Sequence, residues 1–77
     1  MNKYEIFDYD VCGNDEIGYG VNEVMPTGVI IYTDISRTSL CEKLNLDNPY
    51  GIDIYYSDDV ICIEYRGKPY CELRMID

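Results

Sequence analysis

Histidine and tryptophan are absent from this 77-residue chain, phenylalanine occurs once, and only six lysines and arginines stand against fifteen aspartates and glutamates. Each absence narrows the possible chemistry. Without histidine, acid–base catalysis falls to a carboxylate, tyrosine or lysine whose pKa must be moved by burial, and so short a chain offers little interior for that. The four cysteines, Cys12, Cys41, Cys62 and Cys71, form no C-x-x-C pair, and no histidine can complete a mixed zinc site. A nucleophilic cysteine would lack both a base and an electropositive setting. No phosphate-binding glycine loop occurs. No segment approaches the ~18 apolar residues of a membrane span, and Met1-Asn2-Lys3-Tyr4-Glu5 opens no run of signal-peptide length. The expectation is a non-enzymatic protein with no catalytic residue, metal or cofactor, away from membranes, with reduced thiols in a cytoplasm.

What the chain does have is acid and tyrosine. A net charge of −9 repels nucleic acid and anionic membranes and favours basic clefts on other macromolecules. An apolar content of 47% separates the chain from acidic disordered segments. Its length makes residues 1–77 a single domain with a core near the lower limit of stability. Nine tyrosines suit such a thin domain, because a ring can pack while its hydroxyl reaches water or a partner. Charge is uneven. Lys3 is the only base among residues 1–36, which also hold Glu5, Asp8, Asp10, Asp15, Glu16, Glu23 and Asp34.

Residues 3–12 read as a strand in which Phe7, Tyr9 and Val11 alternate with Asp8 and Asp10, a half-buried period of two. Gly13-Asn14-Asp15 signals a turn, and Gly18-Tyr19-Gly20 an irregular stretch. Residues 21–25 read as a short extended piece stopped by Pro26, and residues 29–33, released by Gly28, as a covered strand. Residues 36–46 are the one helix candidate. Ser39 with Glu42 fits a capping box, or Ser36 caps one turn earlier, while Leu40, Cys41 and Leu44 share a face. Asp47-Asn48-Pro49 ends it. Three further strands, 52–56, 60–65 and 70–75, are joined by loops short enough to force antiparallel hairpins. The fold class expected is α+β: an antiparallel ββαβββ sheet with a C-terminal meander and one short helix on one face.

Turn chemistry sets a register for the last hairpin. With Arg66-Gly67 as a two-residue loop, Tyr65 pairs with Lys68, Ile63 with Tyr70, Cys62 with Cys71 and Val60 with Leu73, which makes the two thiols neighbours on a core wall beside Met75. A three-residue Gly67-Lys68-Pro69 loop would pair Ile63 with Leu73 and send the thiols to opposite faces.

The stretch Asp8-Tyr9-Asp10-Val11-Cys12-Gly13 imitates several sites without completing one. A calcium loop would need an oxygen ligand where Cys12 stands and a bidentate glutamate where Tyr19 stands. The D-x-D strand end of haloacid-dehalogenase-like phosphatases needs a doubly wound sheet that 77 residues cannot build. A glycosidase-type carboxylate pair needs a cleft around Asp8 and Asp10. A solvated strand face is the simpler account. Tyr9-Asp10-Val11-Cys12-Gly13-Asn14, followed by Gly18-Tyr19-Gly20-Val21-Asn22-Glu23-Val24, resembles a family of uncharacterised small proteins encoded by phage and metagenomic genomes. Those proteins show an aromatic-Asp-Val-x-Gly-Asn motif and then Gly-Tyr-x-Val-Asn-x-Val, and residues 65–73 look similar to their endings. The likeness covers about half the chain and departs at Tyr9 and Cys12, where tryptophan is common. It implies a phage origin and carries no activity.

The functional expectation is macromolecular binding: a nucleic-acid-mimicking or acidic-surface inhibitor of a host nucleic-acid-binding or defence protein, anti-CRISPR-like in kind, that docks on a basic surface in the host cytoplasm. Carboxylates at i and i+2 on a strand lie ~7 Å apart, the scale of successive phosphates. The expected array is Glu5, Asp8, Asp10, Asp15, Glu16 and Glu23, with Tyr9 and Tyr19 stacking where bases would. The alternatives are an oligomeric sponge for a nucleotide signal, using tyrosines with Arg37, Arg66 or Arg74, and an unspecified protein–protein module. An exposed sheet edge favours a homodimer.

Overall fold

The first and last strands of the chain meet inside one sheet in the computed structural model, which describes residues 2–76. In chain order the elements are β1 (Asn2–Asn14), β2 (Gly18–Thr33), α1 (Arg37–Lys43), a single 3-10 turn (Pro49–Gly51), β3 (Ile52–Ser57), β4 (Val60–Tyr65) and β5 (Lys68–Met75). All five strands are antiparallel neighbours in the order β2-β1-β5-β4-β3. This is the α+β, ββαβββ architecture with a C-terminal meander.

The helix is shorter than its hydrophobic pattern suggests, and both ends have local causes. Ser36, not Ser39, is the N-cap: its extended backbone lets the hydroxyl accept from the Ser39 N–H at 3.2 Å. At the other end Asn45 takes a left-handed φ of 56°. The Leu46 N–H then reaches the Cys41 carbonyl at 2.9 Å and the Asn45 N–H the Glu42 carbonyl at 3.3 Å. This Schellman closure stops α1 before Asp47-Asn48-Pro49 is reached. About two turns are enough to drop Leu40 and Leu44 onto the sheet, where Tyr4, Ile52, Ile61, Ile63, Cys71 and Leu73 complete the buried core.

β2 is one continuous strand where the sequence suggested two pieces, because it lies at the sheet edge. Pro26 pairs with Phe7 without needing a second ladder, and a bulge between Glu5 and Phe7 absorbs residues 27–29. The Thr27 hydroxyl donates to the Ile6 carbonyl at 2.6 Å and accepts from the Val29 N–H at 3.0 Å, filling the gap in the backbone ladder.

Two sequence expectations are corrected. On β1 the helix-covered side is that of Tyr4 and Ile6, which pair with Met75 and Leu73 of the core face; Phe7 and Tyr9 lie on the open side. In the last hairpin Arg66 and Gly67 do form the loop, with φ of 52° and 80°, and Tyr65 does pair with Lys68. A bulge then inserts Tyr70, so Ile63 faces Cys71 and Cys62 faces Glu72. One extra residue inverts the side chains beyond it. Ile61 and Ile63 enter the core, and Cys62 is sent to the face opposite Cys71.

Candidate interaction surface

The β1–β5 ladder ends at Asp8 and Cys71, whereas the β1–β2 ladder continues to Asn14 and Gly18. Residues 9–24 therefore leave the sheet as a two-stranded ribbon. Its tip is built from local chemistry. The Asn14 side-chain oxygen accepts from the Glu16 and Ile17 N–H groups at 2.9 and 3.1 Å. Gly13 turns there with φ 102°, at a place where a Cβ would run into the Gly18 carbonyl. The Tyr19 hydroxyl donates to Asp15 Oδ1 at 2.8 Å, and that bond is the main cause holding its pKa above the ordinary tyrosine value. Lys68 places its Nζ 5.3 Å from the centre of the Tyr19 ring.

Across the ribbon Asp10 lies directly opposite Glu23, and Asp8 opposite Met25. Opposed residues of an antiparallel pair share a face, so Asp8, Asp10 and Glu23 form one acidic side. The Asn22 side chain donates to Asp10 Oδ2 at 3.0 Å. No base occurs among residues 9–24, which also carry Asp15 and Glu16 at the tip. Of the expected array, Asp8, Asp10 and Glu23 share one side, while Asp15, Glu16 and Tyr19 lie at the tip.

Glu5 and Tyr9 are placed elsewhere. Glu5 lies on the open side between Ile30 and Arg74. Tyr9 is half-buried on that same side, its pKa pushed strongly upward by burial and by its hydrogen bond with Cys62, with Glu72 and Cys71 adding to the shift. It belongs to the packing of the open face and not to the acidic one. A small cluster that no sequence motif announces also lies there. Glu72 is only 7% exposed, pairs with Arg74 Nε at 2.7 Å, and Arg74 in turn sits 4.1 Å over the Phe7 ring. The alternation of Glu72 and Arg74 on one strand was its only sequence signal.

Two hollows open on the molecule. The larger, about 850 Å³, is rimmed by Asp34, Asp58 and Asp59 with Tyr4, Tyr56 and Met75 as walls, and no lysine or arginine lines it among the described residues. The smaller, about 450 Å³, brings Lys43 near Asp8, Tyr70 and Cys71. Burial, with Asp8 and Glu72 close by, pushes the Cys71 thiol up to about 12. All four cysteines are free, and among the described residues no group of three His, Cys, Asp or Glu is placed to hold a metal ion. No described helix is long and apolar enough to cross a membrane. No family model matches the chain, and neither a curated protein nor a solved structure does.

Proposed function

We propose that the protein is a binding module of phage type whose acidic ribbon occupies a basic, phosphate-binding surface on a host nucleic-acid-handling or defence protein. The observation that carries this reading is Asp10 facing Glu23. Like charges set directly opposite each other weaken a ladder, and a small domain keeps such an arrangement at a stability cost when a partner supplies the missing cations. Asp8 extends the row along the strand at the ~7 Å repeat of a pleated chain, and Asp15 and Glu16 continue it around the tip. A basic groove meets there a line of anions on a two-stranded support. The nucleotide-sponge alternative is the weaker reading, because the larger hollow presents carboxylates where phosphates would have to sit.

The test is capture of bacterial lysate proteins on immobilised wild type and on an Asp10→Lys, Glu23→Lys variant. Partners of the ribbon are retained by wild type, released by raised salt and by heparin as a competing polyanion, and lost from the variant. Partners that bind both proteins equally, or that resist heparin, would reject the ribbon as the recognition element.

A further inference from the structure

We infer that residues 30–32 at the outer edge of β2 pair antiparallel with the same residues of a second copy, about a two-fold axis at Ile31, to give one continuous ten-stranded sheet. The sheet has two edges, and they are treated differently. On β3 the Arg37 guanidinium covers the backbone, donating to the Ile52 carbonyl at 2.9 Å, and Asp53 adds a charge at 3.9 Å from Arg37. On β2 the lower half is blunted by Glu23, by Pro26 and by the bulge at residues 27–29. Charge, proline and bulges are the usual protections of an open edge. Residues 30–32, Ile-Ile-Tyr, have none of them, and no strand lies outside them. Ile30 is 40% exposed and Tyr32 57%.

Charge selects the occupant. Two copies at −9 each repel over most of their surfaces, and residues 24–33 form a ten-residue stretch without a single charged side chain. A second copy presents the same neutral edge. Centring the pairing on Ile31 keeps it inside residues 30–32, clear of the bulge and of the buried Thr33. Ile30 of each copy then faces Tyr32 of the other, an aromatic–β-branched pair that favours a ladder. Ile30 also faces Glu5 within its own chain, and Tyr32 faces Lys3. Each row across the junction therefore runs Glu5, Ile30, Tyr32, Lys3, with opposite charges at its ends. The arrangement is self-complementary, as a two-fold interface must be.

Sedimentation or light scattering over a dilution series reads the result. Wild type is expected at twice the 9.0 kDa chain mass. The Ile30→Lys, Tyr32→Lys variant sets lysine against lysine at both pairs and halves that mass. The Ile30→Lys, Tyr32→Glu variant sets lysine against glutamate, matches Glu5 and Lys3 within each chain, and restores the dimer; circular dichroism confirms that the variants fold. A wild type that stays at chain mass throughout the series overturns the inference. So does a folded double-lysine variant that remains dimeric, or a folded Lys/Glu variant that stays monomeric.

Discussion

Asp10 and Glu23 stand directly opposite each other in the β1–β2 ladder, two carboxylates on one face of a ribbon that holds no base to separate them. Asn22 donates to Asp10 at 3.0 Å but brings no charge. The pair is a local conflict within an otherwise consistent hairpin, and such conflicts concentrate where a surface serves a partner.

Removing one of the two charges separates stability from binding. Glu23→Gln is expected to raise unfolding stability by about 0.2–1 kcal/mol, the scale of a cross-strand pair term, while weakening ribbon-dependent capture. Urea midpoints at low and high salt check it, since the stabilisation shrinks as salt screens the wild-type repulsion. A variant no more stable than wild type at low salt would mean that the two carboxylates do not repel.

Alkaline pH should destabilise the fold through Cys71. Its thiol stays neutral up to about 12 when folded, against 9.0 for an ordinary cysteine. Above pH 9 the unfolded chain loses this proton while the folded chain keeps it, so the contribution is fully present below 9 and is lost as pH rises towards 12. The slope is at most about 1.4 kcal/mol per pH unit. Tyr9, also raised, acts in the same sense at higher pH. Urea titrations at several alkaline pH values should show a flatter decline in Cys71→Ala. An identical slope in that variant would show that Cys71 is not the group responsible. Alkylation at neutral pH gives a second reading: exposed Cys12 reacts readily, and Cys71 only after unfolding.

Gly13 holds the ribbon tip. A side chain there meets the Gly18 carbonyl and must adopt φ near 102°, strain worth about 1–3 kcal/mol. The ribbon lies beyond the β5 ladder, so Gly13→Ala is expected to fray it locally instead of unfolding the core. Hydrogen exchange should show lost amide protection at residues 12–20 with β3, β4 and β5 unchanged. Retained protection at the tip would mean that the turn tolerates a Cβ.

The turns were the most legible part of this chain. Arg66-Gly67 reads as a two-residue loop because both positions take positive φ, a property of the loop residues themselves. The helix site was readable for the same reason, although the choice between Ser36 and Ser39 as cap was left to packing. The acidic array was legible as composition. Its division into a ribbon face with Asp8, Asp10 and Glu23, and an open face with Glu5 and Tyr9, was not.

By itself the sequence determined the helix, the C-terminal hairpin loops, the acidity and the absence of histidine, because those depend on residue identity and on residues within a few positions of one another. Tertiary structure decided which side of β1 is covered, that Pro26 can stay inside a strand, and that Cys62 and Cys71 part company. Each decision is non-local. Tyr4 and Ile6 are covered because they share the sheet face of Leu73 and Ile61, onto which Leu40 and Leu44 of the distant helix region pack. Pro26 is tolerated because β2 has no outer neighbour. Tyr70 bulges because β5 must satisfy β1 and β4 at once, and one inserted residue reverses every face beyond it without changing a single local propensity.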